Sequence, residues 1–430
     1  MPAVPAPAPS AAALIDHVGP GTSLIVPVAN GEPCAILDAL EAAAPSLEGV
    51  RVHQLLAKHP REYHSGIHGD RLRHVSYFLG PDLREHFERG EVDLVPNDFH
   101  TVPELMRRLP NPLLAVAASP PDEHGVVTLG VSGDYSAALL GEVPVIVEVN
   151  PDMPRTRGAH TIHLGDTLGW IEHSSPLSCV EEASPTEVDR RIAELVAERI
   201  PNGAVLQVGI GAVPALVADL LQDLSGLGIH SELFCDALMH LVESGAAPGS
   251  TKVREQGLAT ATTVLGSAKL YDWVHDNAAL FMLPVDVSND PRVIAQHPDF
   301  VAVNATMQID LLGQCASESL GTHYISSSGG QADFLRGAQM SEGGQSFIVT
   351  HSTAHDVADG GAVVSRIVPT LSPGAVVTAH KNLVDKVVTE HGIAELRGRT
   401  VRERAGALIA LAAPEFRDDL TRQAHAFGYL

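Results

Sequence analysis

Three features of this sequence are of types that do chemistry on small molecules. The first is Glu232, in the run IHSELF, a carboxylate set where a short apolar strand ends. The second is the loop GIGAVP, in which Gly209, Ile210, Gly211, Ala212 and Val213 join an apolar run to an amphipathic one. Glycines there let the backbone turn tightly and bring N–H groups up to an anion or oxyanion at the start of a helix. A rival reading is a dinucleotide fingerprint, with Glu232 on a ribose hydroxyl about twenty residues on. Pro214 stands where that pattern needs its third glycine, which weighs against a nicotinamide cofactor. The third feature is the Ser/Gly run YISSSGGQADFLRGA, where Gly329 and Gly330 can present backbone N–H groups to a developing oxyanion. Taken alone, that run reads better as a plain turn that opens a helix.

Other chemistries fit less well. The sequence contains 22 histidines, and His160 with His163, or His230 with Glu232 and His240, can be drawn as ligand sets. None has the spacing of a zinc enzyme and no cysteine pair accompanies them, so no metal is expected. Cys235 reads as a small core residue rather than a nucleophile. No G-x-S-x-G elbow occurs, which argues against a serine hydrolase.

These residues need a scaffold, and its pattern is α/β. Apolar strand-like runs alternate with helical ones: Leu24–Ala29 as a strand, Glu32–Ala44 as a helix with Pro33 in its first turn, Val50–Leu56 as a strand. Capping boxes are expected at Ser184–Glu187, with Pro185 opening the helix Pro185–Glu198, and at Thr400–Glu403. The segment LIVPVANGEPCAILDAL, from Leu24, aligns with VLQVGIGAVPALVADLL, from Val205, placing Pro33 on Pro214 and Asp38 on Asp219. VTLGVS, from Val127, echoes DLLGQC, from Asp310. This self-similarity predicts two similar open α/β domains related by internal duplication, residues 1–183 and 184–430. Aligning His53 with His230 sets Leu55 opposite Glu232. Ligands of open α/β sheets bind outside the carboxyl ends of the strands, so a carboxylate there is a candidate for chemistry. A solvated surface glutamate is the plain alternative.

At 430 residues the chain can bury a substantial core without disulfides or structural metals. A net charge of −24 disfavours nucleic acid and anionic membranes as partners. Four scattered cysteines suit a reducing compartment, and no apolar stretch is long enough to span a membrane. The beginning, MPAVPAPAPS, reads as a Pro/Ala leader rather than a signal peptide, so a cytoplasmic protein is expected.

Seven stretches in order, SPPDEHG, GIGAVP, HSELFCD, SNDPRVIAQ, GGQADF, SRIVP and VTEHGIAELRG, resemble the acetyl-CoA hydrolase/transferase family, which includes 4-hydroxybutyrate, succinyl-CoA and propionyl-CoA transferases. The resemblance covers nearly the whole chain. It implies a duplicated α/β fold with the active site between the halves and Glu232 of the second half as nucleophile. It implies further that Gly209–Val213, Gly329 and Gly330 contact CoA or the oxyanion, and that Asn289 and Glu390 lie on the substrate side. Departures from the family pattern are Ala237 for glycine, His391 for an aromatic residue, and His355 and Gln345 for lysines. His355 then stands in part for a lysine that holds CoA. The expected reaction is CoA transfer from an acyl-CoA to a small carboxylic acid through a glutamyl-CoA thioester. No cofactor beyond the substrate CoA is implied, and a homodimer or larger homo-oligomer is expected. Acyl-CoA hydrolysis by the same glutamate is the alternative, and an NAD-binding oxidoreductase a remote one.

Overall fold

The computed structural model describes residues 4–180, 184–209, 211–356 and 360–430. They fall into two units. The first takes in the described part of Met1–Glu181 with Glu232–Cys235 and Thr260–Asp290; the second comprises the described part of Glu182–Ser231, Asp236–Ala259 and Pro291–Leu430.

The first unit is built on seven parallel strands: β1 (Ser23–Ile25), β2 (Val50–Gln54), β3 (Leu72–Ser76), β4 (Asp93–Leu94), β5 (Pro112–Ala118), β6 (Val145–Val149) and β7 (Gly169–Glu172). Their spatial order is β4-β3-β2-β1-β5-β6-β7, so the winding reverses between β1 and β5. Both faces of this sheet are covered, which explains unbroken apolar runs such as LLAVAA. Alternate residues serve opposite cores. Ile25, Leu114, Val116 and Val147 pack with Tyr135 and Val285 on one face. Leu24, Leu113, Ala115 and Ile146 pack on the other with Ile36, Leu37 and Leu40 of the helix Cys34–Ala43.

The second unit has its own sheet: β8 (Val205–Val208), β9 (Gly228–Ile229), β10 (Phe300–Ala305), β11 (Gln345–Val349), β12 (Lys386–Thr389) and β13 (Gly392–Glu395). The order is β9-β8-β10-β11-β12-β13, parallel except for the antiparallel edge strand β13. Winding reverses here between β8 and β10. The aligned segments thus adopt the same strand–helix–strand unit, β1 with Cys34–Ala43 and β2, and β8 with Ala212–Leu220 and β9.

Three local expectations need correction. The capping box lies at Thr186–Asp189, not Ser184–Glu187. Thr186 Oγ1 accepts from the Asp189 N–H at 3.1 Å and Asp189 Oδ2 accepts from the Thr186 N–H at 2.8 Å, so the helix is Glu187–Ala197. The helix expected over Glu32–Ala44 is Cys34–Ala43, after Pro33, and the chain makes a 3-10 turn at Ala29–Gly31, at the end of the stretch expected as strand. Finally, a single division at residue 183 does not describe the units. Glu232 groups with the first unit because the strand Leu233–Phe234 pairs in parallel with Thr263–Val264, which that unit also contains. The box at Thr400–Glu403 forms as expected.

Candidate active site

The backbone of Glu232 is held tightly. Its carbonyl accepts the N–H groups of Thr262 and Thr263, both at 3.0 Å. The strand that follows carries Phe234, whose ring stacks on Trp273 with centroids 5.6 Å apart. Neighbouring Thr262 in turn accepts the N–H groups of Gly133 and Asp134 through its carbonyl, at 2.7 and 3.1 Å. Gly133 has to be small, since a Cβ there would lie 3.0–3.1 Å from the carbonyl oxygens of Leu283 and Thr262.

The Glu232 side chain is half-buried, and its Oε2 accepts a hydrogen bond from Asn289 Nδ2 at 2.7 Å across 57 positions of sequence. Asn289 is fully buried at the end of the short helix Val285–Ser288, whose Val285 is set in the apolar core of the first unit. Its Oδ1 accepts from Ser288 Oγ at 2.8 Å. A carboxylate can only accept, so the amide must turn its NH₂ toward Glu232, and the Ser288 hydroxyl holds the other end in that orientation. In the repeat, Leu55 occupies the equivalent position as a buried core residue, its N–H donating to Tyr135 Oη at 3.1 Å. Where one copy packs, the other presents a carboxylate.

The remaining candidates belong to the second unit. Gly209 follows β8 directly, and its N–H donates to Val303 O of β10 at 3.0 Å, so that amide serves the sheet rather than a ligand. Gly211 has φ +124°, a conformation open to glycine, and caps the helix Ala212–Leu220. Ala212 and Val213 fill the first turn of that helix, whose N–H groups have no intrahelical acceptor. Ile210 lies outside the described residues. Gly329 has φ +53°, whereas Gly330, with φ −92°, caps the helix Gln331–Met340 in a conformation any residue adopts. His355 is exposed on a hairpin strand, Nδ1 3.1 Å from Gly361 O. Glu390 is bound at both oxygens by Ser352, from its N–H at 3.0 Å and from Oγ at 2.6 Å. Burial pushes the Glu390 carboxyl up, but the bonds from Ser352 outweigh it and hold the group below the usual carboxylate range.

The histidines singled out above have structural partners. His160 is fully buried with Nε2 2.7 Å from Thr156 Oγ1, and burial pushes its imidazole down to about 4. His163 Nδ1 accepts the Gly165 N–H at 2.9 Å. His230 packs against the rings of His297 and Phe300, and His240 Nδ1 lies 3.7 Å from Asp219. Sequence reasoning missed Lys252, a buried lysine whose Nζ donates to Ile229 O and Leu258 O, both at 2.9 Å. Burial lowers its pKa to about 7. It also missed Ser288, for which the only signal was a hydroxyl next to asparagine at a helix end.

Comparisons with known proteins agree in one direction. The acetyl-CoA hydrolase/transferase N-terminal domain matches residues 8–175, and the C-terminal domain of the same family matches residues 266–424. Succinyl-CoA:cyclohexane-1-carboxylate CoA transferase of Geobacter metallireducens is 41% identical over 94% of this chain and 92% of its own. 4-Hydroxybutyrate coenzyme A transferase of Clostridium kluyveri is 39% identical over 92% of each. The crystal structure of RipA from Yersinia pestis matches with a TM-score of 0.91 at 34% identity, covering 98% of this chain and 97% of that one. No helix among the described residues is long and apolar enough to cross a membrane. Two family domains in order, and relatives alike over nearly their full length, make this chain a member of the acetyl-CoA hydrolase/transferase family.

Proposed function

We propose that the chain transfers CoA from an acyl-CoA to a small carboxylic acid, with Glu232 carrying CoA as a glutamyl thioester between the two half-reactions. The observation that carries this reading is the contact of Asn289 Nδ2 with Glu232 Oε2. It holds a half-buried carboxylate in one orientation. Transferases among the relatives support the substrate class, and the acetyl-CoA hydrolases are more distant, at 26–29% identity over shorter stretches.

In the first step Oε1 attacks the thioester carbonyl and expels CoA thiolate, leaving an acyl–glutamyl anhydride. The thiolate then attacks the glutamyl carbon, expels the first carboxylate and forms the thioester. A second carboxylate repeats these steps in reverse, so a thioester is exchanged for a thioester. Whenever the glutamyl carbon is attacked, Oε2 gains the charge, and Asn289 is already placed to donate to it. The N–H groups of Gly211–Val213 and of Gly329 and Gly330 are assigned to CoA or to the acyl oxyanion. His355 is assigned to CoA and Glu390 to the substrate side, Glu390 acting through Ser352. The reaction needs no cofactor beyond CoA. A cytoplasmic homo-oligomer completes the reading; four free cysteines fit the compartment.

The covalent intermediate tests it. Incubation with an acyl-CoA and no acceptor acid should give a protein heavier by one CoA less water, mapped to the peptide holding His230–Asp236. Hydroxylamine should discharge the adduct and inactivate the enzyme, and initial rates should give the parallel lines of a ping-pong scheme. Release of free CoA without an acceptor would point to a hydrolase. An unmodified Glu232 peptide together with intersecting lines would refute the mechanism.

A further inference from the structure

At the carboxyl edge of the first sheet lies a group of side chains that the transfer chemistry does not use. Glu32 follows the turn after β1, Cys34 is the first residue of the helix Cys34–Ala43, and His59 lies five positions past the end of β2. Their ligand atoms, a Glu32 carboxylate oxygen, Cys34 Sγ and a His59 ring nitrogen, all lie within 4.8 Å of one another. We infer that these three residues form a binding site for a divalent transition-metal ion, with zinc as the ion their chemistry suits.

The donor set of one thiolate, one imidazole and one carboxylate is that of a borderline-soft cation, unlike the all-oxygen sets of calcium and magnesium. Three protein ligands and an open fourth position complete a tetrahedron. The distances are close to what that needs. Cys34 Sγ lies 3.8 Å from His59 Nδ1, against about 3.6 Å for the S–N edge of a tetrahedral zinc site built on ordinary bond lengths. Glu32 Oε2 is hydrogen-bonded to His59 Nδ1 at 2.5 Å, so that pair must open to about 3.3 Å. The ion takes the place of the proton they share, and that proton and the thiol proton leave to solvent.

Two further features fit a ligating carboxylate. Glu32 is buried, and its other oxygen, Oε1, is held by Gln54 Nε2 at 2.8 Å and by the Lys58 N–H at 2.5 Å. That leaves Oε2 aimed at His59, as outer-shell hydrogen bonds orient a metal ligand. His59 has a side-chain exposure of 37%, which gives the ion a path from solvent. Arg61, which reaches toward the Cys34 carbonyl at 3.4 Å, is paired with Asp38 and Glu41, so its charge is offset beside the site.

Metal-free protein titrated with Co²⁺ tests the site without reference to activity. One equivalent per chain should raise a thiolate-to-cobalt charge-transfer absorption in the near ultraviolet, and Zn²⁺ should displace it. Cys34→Ser should abolish that band, and His59→Ala should weaken Zn²⁺ binding at least about tenfold. Should either variant misfold, the wild-type protein suffices: Zn²⁺ should slow alkylation of Cys34 by iodoacetamide at least about tenfold, with the exposed Cys179 as an unprotected control. No charge-transfer band, or equal alkylation of Cys34 with and without Zn²⁺, overturns the assignment.

Discussion

Replacing Asn289 by alanine removes an amide donor to Glu232 Oε2, and the size of the effect can be worked out in advance. A hydrogen bond to a charged group contributes about 1.5–3 kcal/mol, or roughly ten- to 150-fold in rate at about 1.4 kcal/mol per decade. A donor that follows charge into an oxyanion is worth more, about a hundred- to a thousandfold. Since Oε2 is the oxygen that gains charge at each attack on the glutamyl carbon, Asn289→Ala should lower kcat/KM by about a hundred- to a thousandfold. The loss should lie mostly in kcat. The variant also removes a fully buried, hydrogen-bonded side chain, so a stability loss of about 1–3 kcal/mol should accompany the kinetic one; circular dichroism and Tm separate the two. Asn289→Asp keeps an acceptor for Ser288 but sets a second carboxylate against Glu232. Two carboxylates at that distance share a proton and raise the apparent pKa of the pair, so the acid limb of the pH–rate profile should move upward, which a purely structural role would not cause. An Asn289→Ala enzyme within about threefold of wild type in kcat/KM would refute this reasoning.

Two other outcomes follow from backbone and burial. Gly211→Ala should lower stability by about 1–3 kcal/mol, because φ +124° is strained for any side chain, a backbone penalty that Gly330 at φ −92° does not carry; a Gly211→Ala variant that melts with the wild type would contradict the conformation described. Buried His160, pushed down to about 4, takes up protons first in the unfolded chain, so its contribution is full above about pH 6.5 and is lost as pH falls toward 4. His160→Gln should therefore flatten the acid side of a denaturant-midpoint profile by roughly 3 kcal/mol, and an unaltered slope would show that His160 does not titrate on unfolding.

Much of the scaffold is written in local pattern. The runs around Leu24 and Val205, with a proline at the same offset, foretell two parallel strand–helix–strand units. Their comparison isolates Glu232 by what stands opposite it, Leu55. Resemblance adds Asn289, but neither route shows why it matters, since its contact with Glu232 spans 57 positions and depends on a hydroxyl that merely precedes it. The capping box at Thr186 was two residues from the expected one, because SPTEVD holds two overlapping candidates and the Asp189 side chain decides between them. Gly209 looked like a ligand-binding amide, yet a glycine after a strand can equally continue the ladder, and pairing with β10 is not a local property. The Glu32–Cys34–His59 group escaped for the same reason: two of its members are neighbours, and the third arrives from beyond the next strand.

That Glu232–Cys235 and Thr260–Asp290 complete the first unit has a consequence for how the protein is made. On the ribosome, residues up to Glu181 emerge roughly 110 residues ahead of Asp290, which at about 5–20 residues per second leaves roughly 5–20 s in which the first unit lacks its last two segments. Glu232 and Asn289 are both in those segments. The carboxylate therefore meets its amide only after two-thirds of the chain has been synthesised, and the nascent first unit waits on sequence that lies deep in the other half.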